Sequence, residues 1–420
     1  MVTLLCAFTA CGGGIKSRSN PNQAPGSASG AASKQGALLS SSPVVNIYLE
    51  NSGSMNGYVA DGGPTIFQQN IYNFLVDMRN SGYPSSVQCH YINNEVVPRG
   101  DDIHSFIMDL KPSSFKSTAG NKTETDMADL FHQVLTKTSD DTVSVFISDC
   151  IFSPGKVPNP SAYLLNQQID IKDGVQQYLA SHEHLGIMVY QCSSEFDGKY
   201  YDYKNNPHRY KGSRPYYIWV IGHPERLFHL RICVPQEGFL SEVENFWFAG
   251  NVEVDSRYTI LPSPKKGEFS FTLPKEMSRI KPDKDSGEFM FTVGVDFRKL
   301  QTLLGEDYIL EASNYCKMVD INEALHECTL MVIEKDNSGN NLTHELQIST
   351  SSPISKGDFH LALLCQVPQW AYNMTDNNDS ALNLSNEGKT YGLSYIFDGI
   401  QQAFSTPNPT CYSIIDLTIK

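Results

Sequence analysis

Three oxygen-bearing side chains stand at alternate positions where an apolar run stops. The segment is Val44-Val45-Asn46-Ile47-Tyr48-Leu49-Glu50-Asn51-Ser52-Gly53-Ser54-Met55. The run reads as a buried strand of parallel type, and Gly53 lets the chain turn sharply at its end. Glu50, Ser52 and Ser54 then converge at the carboxyl edge of the strand, which is where open α/β sheets carry their sites. One carboxylate and two hydroxyls are hard ligands, suited to Mg²⁺, Mn²⁺ or Ca²⁺ and not to zinc. The same residues also describe a Ser/Gly/Asn turn that caps a following helix.

Two downstream segments favour the ligand reading. Thr142–Ser148 is a second apolar run, and Asp149 follows it directly. Before it, Thr125-Asp126 opens a helix whose apolar positions, Met127, Leu130, Phe131, Val134 and Leu135, recur at helical spacing. A strand with Glu-x-Ser-x-Ser, a Thr at a helix start and a later strand ending in Asp resembles, in that order, the von Willebrand factor A (VWA) family. Its metal-ion-dependent adhesion site (MIDAS) is built from Asp-x-Ser-x-Ser, a Thr and a later Asp. The resemblance implies Glu50, Ser52, Ser54, Thr125 and Asp149 as metal ligands, with Glu50 departing from the family's Asp.

The elements around these residues alternate up to about residue 234. Strands are expected at 44–49, 86–92, 142–148, 186–191 and 216–221. Helices are expected at 64–79, 103–110, 125–136 and 171–181. Such alternation implies an open, mainly parallel sheet with helices on both faces, and the resemblance makes it a VWA-like, Rossmann-type α/β domain over 44–234. Between the last two strands, 195–214 is a polar excursion carrying Tyr200, Tyr201, Tyr203 and Tyr210. It serves either as a binding surface or as a hairpin packed on itself. From 235 to 420 the pattern shifts to period-two runs separated by Asp, Asn, Gly, Pro and Ser breakers, which reads as a β-rich, sandwich-like domain. One late amphipathic helix, 391–404, interrupts it and needs a surface to dock on. Asp376-Asn377-Asn378-Asp379 lacks the Gly and distal Glu of a calcium loop and reads as a solvated turn.

At 420 residues the chain exceeds a usual single core. Its formal net charge of −14 lacks the basic footprint of a nucleic-acid binder. No later segment approaches the roughly 20 apolar residues of a membrane span. Residues 1–11 are short, apolar and small at their end, and Phe8-Thr9-Ala10-Cys11 resembles a bacterial lipoprotein cleavage box. Cys11 is then the lipidated residue, and Ser/Gly/Ala-rich 12–43 is a flexible tether to the membrane of the cell envelope. Of ten cysteines, none forms a Cys-x-x-Cys pair. Cys89, Cys150 and Cys192 sit in or beside apolar runs and read as small buried hydrophobes, while the later ones leave room for a disulfide. His182-Glu183-His184 reads as a solvated helix end.

Two function classes follow. One is a non-catalytic adhesion or assembly module that meets a protein partner through the metal site, with the membrane reached only by the lipid anchor. The other is a metal-dependent hydrolase using an ion-bound water. The chain shows no nucleophile elbow, no His-Glu-x-x-His, no Walker loop and no redox Cys pair, so binding is the favoured class.

Overall fold

The β-branched and aromatic run Val44–Glu50 forms β1, buried along most of its length. It lies in the interior of a seven-stranded sheet, between β2 (Ser86–Ile92) and β4 (Thr142–Ser148), and runs parallel to both. The computed structural model describes residues 41–60, 62–117, 126–234, 243–318, 328–335, 341–351, 356–379, 388–407 and 410–420. Within it, Ser42–Lys420 forms one compact unit.

The expected strands 44–49, 142–148, 186–191 and 216–221 all lie in this sheet, but the sheet is mixed and not mainly parallel. Its order is β3-β2-β1-β4-β6-β5-β7. The only parallel neighbours are β1–β2 and β1–β4; β5 runs in the same direction but is separated from β4 by the antiparallel β6. The excursion at 195–214 accounts for the difference. Instead of a loop between two parallel strands, it is the far half of a long hairpin, β5 (Gly186–Tyr201) and β6 (Pro207–Gly222), paired antiparallel in unbroken register. A hairpin needs no crossover helix, so β6 enters antiparallel to β4. Edge strand β3 (Val96–Gly100), carrying Pro98, adds antiparallel to β2. The sheet also continues past residue 234, because β7 (Val243–Gly250) pairs antiparallel with β5.

Helices cover both faces. Adjacent odd and even residues of a strand point to opposite sides, and β6 shows both. Tyr216 meets Phe67 of α1 (Ile66–Asn80), with ring centroids 4.9 Å apart. On the other face Trp219 meets Phe131 of the helix Met127–Leu135, at 5.1 Å. In chain order that helix is α4, after α2 (Ile103–Met108) and α3 (Pro112–Ser117). Helix α5 (Pro160–Ser181) begins eleven residues before the expected start at 171. Asn159 caps it, its Oδ1 accepting from Ala162 N at 3.1 Å, and Pro160 fits the first turn, where no intrahelical N–H is required. Helix α6 (Pro224–Cys233) follows β6.

Beyond β7, nine of the described strands form two facing sheets. In chain order the described strands here are β8 (Tyr258–Lys266), β9 (Glu268–Leu273), β10 (Glu276–Lys281), β11 (Phe289–Val295), β12 (Tyr315–Met318), β13 (Thr329–Glu334), β14 (His344–Thr350), β15 (Gly357–Leu364), the short pair β16 (Thr375–Asp376) and β17 (Thr390–Tyr391), and β18 (Cys411–Ile419). One sheet is five-stranded, β12-β15-β18-β10-β9, and the other four-stranded, β13-β14-β11-β8. Phe291 of β11 (Phe289–Val295) packs edge-on against Phe359 of β15 (Gly357–Leu364) at 6.4 Å, joining the two inner faces. Pairing is antiparallel except between β10 and β18. Short helices α7 (Arg298–Leu304), α8 (Glu306–Leu310) and α9 (Gln369–Asn373) lie between strands. The late helix, α10 (Leu393–Phe404), docks on the face of the first sheet that carries Trp219. Phe397 sits among all three tryptophans, 5.3 Å from Trp219, 4.9 Å from Trp247 and 5.2 Å from Trp370. No disulfide forms among the described cysteines, and Cys89, Cys150 and Cys192 are buried. No helix among the described residues is long and apolar enough to cross a membrane.

Candidate functional site

Of the five residues singled out as ligands, the structure describes four. Thr125 lies outside the described residues, and so does Cys11. Glu50, Ser52, Ser54 and Asp149 are all buried at the carboxyl ends of β1 and β4.

After Glu50 the chain enters a short 3₁₀ turn, Ser54–Tyr58. Gly53 adopts ordinary right-handed geometry, φ −61°, so the turn does not draw on glycine's conformational freedom, contrary to expectation. The alternation of Ser52 and Ser54 brings their hydroxyls together at 3.0 Å. Asn51 is tied to the β2 edge: its N–H donates to the Ile92 carbonyl at 3.1 Å, and its Oδ1 accepts from Asn93 Nδ2 at 2.7 Å.

Glu50 and Asp149 are held differently. The β1–β4 register sets Leu49 beside Ile147, which leaves Glu50 beside Ser148. The Ser148 hydroxyl donates to Glu50 Oε2, while Ser148 Oγ accepts from Cys150 N at 2.8 Å. Cys150 is left-handed, φ +54°, a strained conformation for a side chain with a Cβ. Its sulfur accepts from Trp219 Nε1 at 3.3 Å. Asp149 Oδ1 accepts from Ile151 N at 3.3 Å. Its other oxygen, Oδ2, is buried without a hydrogen-bond donor. Burial raises the Asp149 carboxyl above the ordinary carboxylate range, and the Ser54 hydroxyl and the Arg214 charge pull the other way.

The tyrosine-rich hairpin closes over this loop. Gly57 and Gly198 approach so closely that a Cβ on Gly198 would lie 2.6 Å from the Gly57 Cα. Phe196 packs edge-on against Tyr58 at 5.0 Å, and the Tyr58 hydroxyl donates to the Pro215 carbonyl at 2.5 Å. Ser194 Oγ and Glu195 Oε2 accept from the N–H groups of Phe67 and Ile66, each at 2.9 Å, which fixes the hairpin to the start of α1. The Ile66 N–H holds the Glu195 carboxylate below its ordinary range, with the Ser194 hydroxyl adding to the effect. At the hairpin's tip Asp379 accepts from the Tyr200 hydroxyl and from Tyr203 N. The turn Asp376–Asp379, expected to be solvated, is therefore a clamp on the hairpin, with Asp376 itself buried.

Arg214 was not singled out by the sequence. It is 1% exposed. Its guanidinium carbon lies 4.7 Å from the Tyr200 ring centre and 5.9 Å from that of Tyr210. A single Arg at the base of a polar excursion has no local signature, and only the hairpin register brings it to this site. Ser148 had one: a hydroxyl beside the acid at the end of an apolar run.

The donors available to a cation here are all oxygens, which fits Mg²⁺, Mn²⁺ or Ca²⁺. Two observations bear on the fit. Asp149 Oδ2 is an orphaned buried acceptor. The 3.0 Å between the serine hydroxyls matches neighbouring corners of an octahedron, which lie about 3 Å apart when metal–oxygen bonds are about 2.1 Å. Among the described residues no three His, Cys, Asp or Glu side chains group as a metal site, so any cation here depends on the serines. No protein-family model, curated protein or solved structure matches this chain.

Proposed function

We propose that this chain is a non-catalytic binding module of the bacterial cell envelope, with a VWA-like domain that engages a protein partner through a MIDAS-type divalent cation. The observation that carries the reading is the buried Asp149 Oδ2, without a donor, at the same strand edge as the paired hydroxyls of Ser52 and Ser54. Ser52 and Ser54 would be direct ligands. Asp149 would complete the charge, and Glu50, tethered by Ser148, would act directly or through bound water. Once bound, the cation supplies an open coordination position for an acidic oxygen of the partner. Cys11 would carry the lipid that holds the module at the membrane, with 12–43 as its tether.

Calorimetric titration with Mg²⁺, Mn²⁺ and Ca²⁺ tests the site. Heat is expected with at least one ion, strongly reduced in Asp149→Ala and retained in Glu50→Asp, which restores the carboxylate of the resembling family. Absence of heat with every ion at millimolar concentration would sink the reading. Fatty-acid labelling of Cys11→Ala in cells tests the anchor, with incorporation expected only in the unsubstituted protein.

A further inference from the structure

Arg214 is a buried charge short of acceptors, its polar neighbour being the Tyr58 hydroxyl, which already donates to the Pro215 carbonyl. Nε, Nη1 and Nη2 are buried and find no hydrogen-bond partner among the described residues. A guanidinium keeps its proton and offers five N–H donors, so hiding it from water without acceptors is strongly unfavourable. The ring faces of Tyr200 and Tyr210 offset part of the charge, but they do not satisfy five donors. Asp149 is the opposite case, a buried carboxylate oxygen without a donor. The two charges act on each other, yet neither group's unbonded atoms reach the other.

We infer that Asp149 and Arg214 together take a divalent cation paired with an oxyanion. The cation sits on Asp149 and the hydroxyls of Ser52 and Ser54, and the oxyanion bridges from it to the Arg214 guanidinium. This inference rests on the cation reading proposed above and names the ligand chemistry of the same site. A lone cation would meet the uncompensated charge of Arg214, and a lone anion would meet that of Asp149. A cation–oxyanion pair is complementary to both, and in a dry site that complementarity counts for much more than in water. The planar fork of arginine suits an anion presenting two oxygens, as carboxylate and phosphate groups do. Ser54, 7% exposed, is the least covered of the ligands and marks the side of approach.

The test is reciprocal coupling in the full chain, read by calorimetry with MgCl₂ or MnCl₂ as cation and with acetate or inorganic phosphate as anion. Each anion that fits is expected to tighten cation binding, and the cation to tighten that anion by the same factor. A larger factor for acetate assigns a carboxylate ligand, and a larger factor for phosphate assigns a phosphate group. Arg214→Gln is expected to tighten cation binding when no anion is present, because the opposing charge is gone, and to erase the coupling. Arg214→Lys keeps the charge without the fork, so its coupling is expected to fall between that of the unsubstituted protein and that of Arg214→Gln. It also serves as the folding control, through its thermal melt. Cation binding indifferent to both anions, or coupling that survives in Arg214→Gln, overturns this inference alone and leaves water bridging the two groups. No cation binding in any buffer overturns the cation reading and this inference with it.

Discussion

Ser148 and Glu50 end adjacent parallel strands, and the hydroxyl of the first donates to the carboxylate of the second. Both are buried, so the bond is shielded from water. The same Ser148 oxygen accepts from Cys150 N, steadying a residue held at φ +54°. Ser148→Ala removes both contacts at once. It is expected to lower the unfolding free energy by about 1–3 kcal/mol, the usual cost of leaving a buried polar group without its partner. Denaturant titration reads this as a lower midpoint at unchanged slope. An unchanged midpoint would show that Glu50 has an equivalent donor elsewhere.

The core strands were legible because each is a continuous apolar run bounded by breakers, and α4 because its apolar face recurs at helical spacing. The sheet's direction was not. Alternating helix and strand signals point to crossovers, whereas β5 and β6 are joined through a Tyr-, Lys- and Asp-rich hairpin whose tip reads as loop when its pairing partner is unseen. The early start of α5 was hidden for a local reason, since Pro154, Pro158 and Pro160 together signal a loop while Pro160 alone is a good first residue of a helix. Glu50, Ser52, Ser54 and Asp149 could be read as a set from their strand-edge positions. Arg214 could not, because its place depends on pairing between residues far apart in the chain.

Gly57 and Gly198 form a contact between backbones that leaves no room for side chains. A Cβ on Gly57 would enter the Phe196 ring, and one on Gly198 would lie 2.6 Å from the Gly57 Cα. Gly198→Ala is therefore expected to cost about 1–3 kcal/mol by overpacking. It should also lift the hairpin from the 3₁₀ turn, which faster hydrogen exchange at Tyr58 and Phe196 would report. Exchange rates identical to those of the unsubstituted protein would mean that the hairpin is not seated as described.

His223 provides a pH dependence of defined sign. Its Nδ1 accepts from Glu225 N at 3.2 Å, capping α6, which requires the neutral ring with the proton on Nε2. Burial holds its pKa below the ordinary 6.5, and the nearby His184 ring, centroid 5.1 Å away, adds to the effect. Between the lowered folded value and 6.5 the unfolded chain binds more protons, so stability rises with pH across that window. The contribution is fully present above 6.5 and is lost as pH falls through the folded value. His90, also held low chiefly by burial, contributes to the same slope. His223→Asn supplies a cap that does not titrate. Urea midpoints across about pH 5–8 should fall less steeply on the acid side in this variant, by the share that His223 carries. An identical slope would assign the whole effect to other groups.

Two helix glycines should respond to the same substitution with opposite signs. In a helix interior with room for the added methyl, Gly→Ala gains about 0.8–1 kcal/mol from backbone entropy. At Gly174 of α5 a new Cβ would sit 3.7 Å from His132 Nδ1 and 3.9 Å from Leu135 Cδ1, both ordinary contacts, so Gly174→Ala is expected to raise stability within that range. Gly399 lies where α10 crosses α5. A Cβ there would be 2.7 Å from the Gln168 carbonyl oxygen and 3.2 Å from Ile171 Cβ. A backbone carbonyl inside a helix cannot swing aside as a side-chain end can, so the helices must separate, and Phe397 must then shift among Trp219, Trp247 and Trp370. Overpacking of this kind costs about 1–3 kcal/mol and outweighs the propensity gain. Gly399→Ala should accordingly lower the denaturant midpoint while Gly174→Ala raises it, with a change in tryptophan emission only in the first. Midpoints that rise in both variants would mean that α10 is not docked on α5 at this distance.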